Sequence, residues 1–481
     1  MSPRPRIDHA IARGVGALLC AALLAASAPP WADDWDGLGF LASVDCFDIA
    51  HFAPHPPGYP VYVAALRVAH VFARDARVAA YAVAIASALV SALALWAAAE
   101  RGARARGWVF AVAALVTPLA WRAFTAIGSE SLALAFAAIA TWALVAARTK
   151  TDAPNRSRPR TFSGENDRVT GVVLGAAIGL GLGVRLSWAP LFASLLVLAP
   201  RGVRARAVAA AIAATLAWVI PLAAIVGPSR LVALYRVHAN GHATTWGGTA
   251  IADPGASRVA YLARDLFVDG LGAGPDALGV AIGVVAIALA GYGLRAWRRA
   301  GFACARDVAI LVVPYFLWIA LGQNVRQQPR HALPLVVVIA VLLALAATVS
   351  PRARQLGVAL ALLVAAHTAI DAWQRRTTPP PGEQLVAYAR AQPAPVAIFG
   401  GPSIRFFESS ELAKQAAVLP TYDELGYALT RVDRYPRTIL VTSEVEGAPT
   451  EPAVAVLCRP PRLDRRGPCL RVVTPSPPAL R

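Results

Sequence analysis

The chain has 481 residues, of which 57% are hydrophobic and only 15% charged, and its mean hydropathy is +0.53. These values exclude an ordinary soluble globular protein and point to one embedded in a membrane. The net charge of +18 would suit a nucleic-acid binder, but the arginines lie in short connectors between apolar runs, where positive charge sets membrane orientation; no nucleic-acid partner is expected.

The basic connectors are 1–13, 101–106, 148–168, 201–206, 295–306 and 352–354. Placing all of them on the cytoplasmic side requires two crossings between each consecutive pair. The candidate spans are then 11–29, 78–99, 107–121, 131–147, 169–185, 188–200, 207–227, 277–294, 307–322, 332–349 and 356–373. The expected fold is an α-helical polytopic membrane protein of about eleven transmembrane helices, with the N-terminus cytoplasmic and the C-terminal tail outside. Trp31, Trp108, Trp121, Trp188, Trp318 and Trp373 fall near the span ends, as an aromatic belt requires. The first segment has a second reading: Arg4 and Arg6, the apolar run 14–25 and Ala26-Ser27-Ala28 also have the form of a cleavable signal peptide. Either reading leaves the following loop outside.

That loop, 30–77, carries Asp33, Asp34, Asp36, Asp45, Asp48, His51 and His55 in a chain with only 28 acidic residues. A carboxylate held at the membrane surface beside Trp and apolar helices is partly desolvated, which favours a general base; a solvated loop with Asp33 or Asp34 capping a helix is the plainer reading. The string His-Pro-Pro-Gly-Tyr-Pro at 55–60 predicts a sharp turn into a helix with Pro60 in its first turn. There Arg67, His70, Arg74 and Arg77 recur at helical spacing, leaving Val61, Ala64, Leu66, Val68 and Val71 to face lipid. Such a helix lies in the interface rather than across it. Counting it as a span would invert every later connector.

Further along, Glu130 stands in Gly128-Ser129-Glu130-Ser131 after a short outer turn at 121–130, where capping the next helix is its plain role. Arg185 ends an outer helix, and Arg330-His331 precedes the span containing Pro334. An arginine at a span end commonly snorkels to headgroups. The long outer loop 228–276 offers His238, His242 and Trp246. After a Pro-rich hinge at 377–382, the tail is expected to form a small α/β unit, with strands at 396–399, 438–442 and 453–457 and helices at 382–391 and 403–417. The domain division is thus 1–375, transmembrane with the acidic loop 30–77, and 376–481, a soluble extracytoplasmic α/β domain. Cys458 and Cys469 form a disulfide if that tail faces an oxidising compartment, or are two free thiols.

An acidic motif just after the first span, followed by a Pro-Pro segment opening an outward-facing interfacial helix, resembles the C-type glycosyltransferases, the multi-span enzymes related to protein O-mannosyltransferases and aminoarabinose transferases. The 55–60 string resembles one subgroup closely. The resemblance implies a sugar passed from a polyprenyl-phosphate donor to an acceptor hydroxyl on a glycan, lipid or protein, at the outer face of a bacterial inner membrane and with inversion. It implies a first-loop aspartate as general base, carried over to Asp34 or Asp36, with Asp34 preferred as nearer the membrane end. Glu130 resembles the family's second acidic position, and Arg330-His331 an Arg-Tyr element in which His stands for Tyr. Either Arg185 or Arg330 would hold the lipid phosphate. Asp33, His55, Tyr59 and His238 are further candidate substrate contacts.

No required metal or cofactor is expected: some relatives use a divalent metal and others do not, and although His51/His55 and His238/His242 have ligand spacing, the prolines after His55 oppose a helix there. Rival readings are a lipid-linked glycan transporter or flippase, a glycan ligase or polymerase, and an inactive scaffold. A transporter calls for ionisable residues near mid-membrane, whereas Glu100, Glu130, Asp276, Asp307 and Asp371 all sit at span ends.

Overall fold

The computed structural model describes residues 5–102, 113, 115–151, 163–244, 248–252, 254–255, 257–300, 302–393, 396–399, 417–418, 438–443, 452–460, 463 and 469–474. The chain forms two compact units, one of Met1–Ala28 and Phe40–Ala372, the other of Pro29–Gly39 and Trp373–Arg481.

The helices in chain order are α1 (Pro5–Ser27), α2 (Trp35–Asp45), α3 (Pro60–Ala73), α4 (Ala76–Gly102), α5 (Pro118–Thr125), α6 (Glu130–Thr151), α7 (Ser163–Val184), α8 (Ala189–Leu198), α9 (Arg201–Val226), α10 (Pro228–Thr244), α11 (Ser257–Ala263), α12 (Ala277–Ala300), α13 (Phe302–Gly322), α14 (Leu333–Ala347), α15 (Pro351–Thr377) and α16 (Pro381–Arg390). Among the described residues, seven are long and apolar enough to cross a membrane: Ala76–Arg101, Glu130–Thr149, Arg201–Val226, Ala277–Arg295, Ala305–Gly322, Pro329–Ala347 and Pro351–Arg390. Val15–Ser27, Pro60–Ala73, Arg168–Val184 and Leu186–Leu198 are shorter apolar helices. The protein is an integral membrane protein of predominantly helical fold, as its hydropathy indicates.

Packing in the first unit inverts the soluble pattern. In α9, Val203, Ala207 and Ala211 are buried, while Val208, Ile212, Leu216 and Ile220 are exposed on another face. Lipid solvates bulky aliphatics, so small residues serve as the contact surface between helices. The partner is α7, whose Gly171, Gly175 and Gly179 recur every fourth residue. A Cβ on Gly175 would lie 2.1 Å from the Ala207 carbonyl oxygen, and one on Gly179 2.5 Å from that of Ala211.

Several expectations need correction. Residues 107–112 and 114 of the candidate span 107–121 lie outside the described residues. The turn expected at 121–130 is largely helix, because Pro118 supplies the fixed φ of a first helical residue and α5 runs on to Thr125. The loop 228–276 is largely helical. Arg258 of α11, buried, donates to the carbonyl oxygens of Gly248, Ala320 and Gln323 and so ties this region to the end of α13. Helix α3 begins at Pro60 as read, but Leu66 faces protein, with Tyr62 and Val63; the exposed apolar face is Val68, Val71 and Phe72. Arg67 does not point only to water: Nε and Nη2 donate to the carbonyls of Val44 and Ser43 at the open end of α2. Trp188 is fully buried rather than part of a belt.

In the second unit five strands, β1 (Val396–Phe399), β2 (Ala417–Val418), β3 (Thr438–Thr442), β4 (Ala455–Cys458) and β5 (Cys469–Val473), form one sheet of order β2-β1-β3-β5-β4. β1 pairs in parallel with β2 and β3, whereas β5 runs antiparallel to β3 and β4. Helix α16 packs on this sheet through a face that buries Leu385, Val386 and Ala389. Cys458 and Cys469 are disulfide-bonded across the β4–β5 pair. The first two expected strands match, the third starts two residues late, and β2 and β5 were not foreseen. Most of the helix expected at 403–417 lies outside the described residues, and Ala417 belongs to a strand.

Candidate active site

In the first unit the loop before α3 is built by its own backbone. Asp48 accepts from the amides of Ala50 and His51 and caps the single turn Ile49–His51. Its hydrogen bond with His51 Nδ1, at 2.6 Å, is the leading cause that holds its carboxyl below the usual aspartate range. Backbone bonds between Asp48 and Ala53 close the loop, and the Gly58 amide donates to the His55 carbonyl. Gly58 has φ +90°, and a Cβ there would lie 2.6 Å from Ile49 Cδ1, so only glycine fits the turn. Ile49 packs with Leu222 and Leu231. The Tyr235 hydroxyl, its pKa pushed up to about 12 by burial, donates to the Pro57 carbonyl at 2.8 Å. The His-Pro-Pro-Gly-Tyr-Pro turn is therefore clamped onto α9 and α10.

That clamp brings three candidate residues together. His55 Nε2 and the Tyr59 hydroxyl share a hydrogen bond of 2.8 Å. The His55 ring lies 5.9 Å from that of His238, which in turn lies 4.6 Å from His242. Phe40 sits among them, with ring centroids 5.0 Å from Tyr59, 4.9 Å from Tyr62 and 6.0 Å from His55. Trp246 lies outside the described residues.

Tyr62 leads to a second cluster. It is wholly buried, and burial first, then the nearby charge of Glu130, push its hydroxyl well above the usual tyrosine range. Glu130 Oε1 lies 2.8 Å from Arg185 Nη1 and 3.3 Å from Arg330 Nε. Arg185 also donates to Ser129 Oγ at 3.0 Å. The side chains of Glu130 and Arg185 are 7% and 5% exposed, that of Arg330 22%. Arg185 is thus an internal ion-pair partner, not a snorkelling side chain. A Cβ on Gly128 would meet Glu130 Oε2 at 2.4 Å, so this glycine makes room for the carboxylate. Tyr315 donates to the His331 carbonyl at 2.8 Å, which fixes the turn carrying Arg330. Two guanidinium groups against one carboxylate leave this corner net positive, the chemistry that receives a phosphate.

The three aspartates of the motif belong to the second unit and differ from one another. Asp33 pairs with Arg375 and, at 3.1 Å, with Arg459. Asp34 Oδ1 accepts from the Gly37 amide at 3.0 Å and so caps α2. Asp36, in the first turn of that helix, is 4% exposed. Among the described residues no group of three His, Cys, Asp or Glu side chains is arranged to hold a metal. Sequence reasoning missed Phe40, Tyr62, Gly128, Arg375 and Arg459. Only Gly128 had a local signal, standing inside the motif already singled out.

Residues 49–101 match the family model of the protein O-mannosyl-transferase TMEM260 N-terminal domain. No curated protein sequence matches the chain. Among solved structures, ArnT from Cupriavidus metallidurans bound to undecaprenyl phosphate superposes with a TM-score of 0.59 at 14% identity, covering 98% of each chain. The chain has an ArnT-like fold. The apo state of the same enzyme matches with a TM-score of 0.55 at 14% identity, over 98% of this chain and 99% of ArnT. The likeness read from the acidic loop and the 55–60 turn is thus borne out as an ArnT-like fold over the whole chain and an O-mannosyl-transferase family match over residues 49–101.

Proposed function

We propose that this protein is a membrane glycosyltransferase that moves a sugar from a polyprenyl-phosphate donor to an acceptor hydroxyl at the outer face of a bacterial inner membrane. The observation that carries this reading is the ArnT-like fold over 98% of both chains, in one case with undecaprenyl phosphate bound to ArnT. The Glu130–Arg185–Arg330 cluster supports it, because its excess positive charge suits the donor phosphate. His55, Tyr59 and His238 form the polar wall that would meet sugar or acceptor.

In this reading a first-loop aspartate takes the proton from the acceptor hydroxyl as its oxygen attacks the anomeric carbon. The new carbon–oxygen bond forms as the bond from that carbon to the phosphate oxygen breaks. The electron pair leaves with the polyprenyl phosphate, and the anomeric configuration inverts. A phosphate is already a stable anion, so the arginines suffice and no acid is needed. Asp34 and Asp36 are the base candidates: Asp34 also accepts from the Gly37 amide at the helix cap, and Asp36 stands in the first turn of the same helix. The N-terminus is cytoplasmic in this scheme and the tail, from about residue 376, lies outside.

The test is Asp36→Asn and Asp34→Asn, singly and together, in purified protein given the polyprenyl-phosphate-sugar fraction of host membranes. Loss of polyprenyl-phosphate release with normal accumulation supports the reading; full turnover in the double variant ends it.

A further inference from the structure

In the second unit, three segments far apart in the chain meet on one carboxylate. Asp33 Oδ2 accepts from Arg375 in the last turn of α15, and Oδ1 accepts from Arg459 Nη2 at 3.1 Å. The sequence separations are 342 and 426 residues. Side-chain exposures are 6% for Asp33, 2% for Arg375 and 1% for Arg459. Arg459 Nη2 also reaches the carbonyl oxygen of Arg375, at 3.4 Å. Buried groups of this kind hold one another strictly, because separating any of them strands a charge away from water.

Arg459 is itself held. It follows Cys458, whose disulfide to Cys469 closes the β4–β5 pair. The Cys458 carbonyl accepts from Gln384 Nε2 at 2.7 Å, and the same amide group donates to the Pro379 carbonyl at 2.9 Å. The guanidinium is therefore carried by a covalently tied strand end, pinned again to the start of α16. On the other side of the contact, Asp33 directly precedes Asp34, the cap of α2, and lies three residues before Asp36. Wherever Arg459 and Arg375 hold Asp33, they set where α2 begins and where its first turn presents its carboxylates.

We propose that Asp33, Arg375 and Arg459 form a positioning clamp through which the C-terminal sheet holds the base-bearing start of α2, with the Cys458–Cys469 disulfide as its tether. Asp33 is then a positioning residue rather than a substrate contact. The inference rests on the reading that Asp34 or Asp36 is the base. A base displaced by about an ångström costs on the order of a hundredfold in rate, whereas donor binding at Glu130, Arg185 and Arg330 involves none of these groups.

The experiment uses the full-length protein in lipid nanodiscs, with the host polyprenyl-phosphate-sugar fraction as donor and kcat and KM measured separately. Arg459→Ala is expected to lower kcat about ten- to a hundredfold with donor KM changed less than about threefold. Combining Asp33→Asn with Arg459→Ala should cost little beyond Asp33→Asn alone, since that change already removes the carboxylate that Arg459 pairs with. Cys458→Ser with Cys469→Ser should give a smaller loss in kcat alone. Wild-type kcat in Arg459→Ala, or a loss carried wholly by KM, overturns the clamp. If Arg459→Ala fails to accumulate, Asp33→Asn decides on the same criteria. The underlying reading is judged apart from this by the Asp34 and Asp36 variants: activity retained there removes the base, whereas inactivity there with wild-type kcat in the clamp variants removes only the clamp.

Discussion

Glu130 owes its position to the absence of a neighbouring side chain. With a Cβ on Gly128 only 2.4 Å from Oε2, Gly128→Ala must shift that end of the carboxylate, whose other oxygen meets Arg185 and Arg330. The expected outcome is a protein that accumulates but turns over roughly ten- to a hundredfold more slowly, approaching Glu130→Gln; steady-state kinetics on both variants checks it. Asp48 shows a titration at this scale. Its folded pKa is lowered, so its contribution to stability is full above the ordinary aspartate pKa and is lost as pH falls through the lowered value. His51→Ala removes the leading cause, so the melting temperature of the variant should differ from wild type at neutral pH and converge with it in acid. The residue types at these positions were legible in the sequence: Glu130, Arg185 and Arg330 each stood out by charge at a span end. Their meeting was not, since nothing local brings residues 130, 185 and 330 to one carboxylate.

The α7–α9 contact shows what an element needs in this solvent. Backbone-to-backbone approach at Gly175 and Gly179 leaves no space for a methyl group, and the bulky residues of α9 are turned to lipid instead. Gly175→Val is expected to destabilise the protein by at least about 1–3 kcal/mol, the usual cost of overpacking, read as a lower melting temperature in detergent. Gly202→Ala, where an added Cβ meets nothing within 4 Å, is the control and should leave it unchanged or raised. The helix start at Pro60 was visible because proline imposes its own φ, whereas Pro381, which was assigned to the hinge, opens α16 one residue earlier than expected. Which face of α3 is buried was not visible: Leu66 and Val68 are equally apolar, and only the neighbours distinguish 0% from 64% exposure.

For the whole molecule the proposed orientation makes a direct prediction. A periplasmic reporter fused after Trp373 should be active and one fused at Ser157 silent. The reverse pattern would place the acidic loop on the cytoplasmic face and remove access to an outer acceptor. With the tail outside, Cys458 and Cys469 should be recovered as a linked peptide from non-reduced membranes, because that compartment permits disulfides.

Membrane residence, the helix beginning at Pro60 and the sharp turn at 55–60 follow from the sequence alone. Each depends on transfer free energies and φ preferences that belong to single residues and short windows. The tertiary structure decided the rest. Asp33, Asp34 and Asp36 look interchangeable as letters, yet one is locked between Arg375 and Arg459, one caps α2, and one is buried in its first turn. Those roles come from partners as far as 426 residues away. Such contacts are set by how whole helices and the sheet pack, and that information is not local to any stretch of the chain.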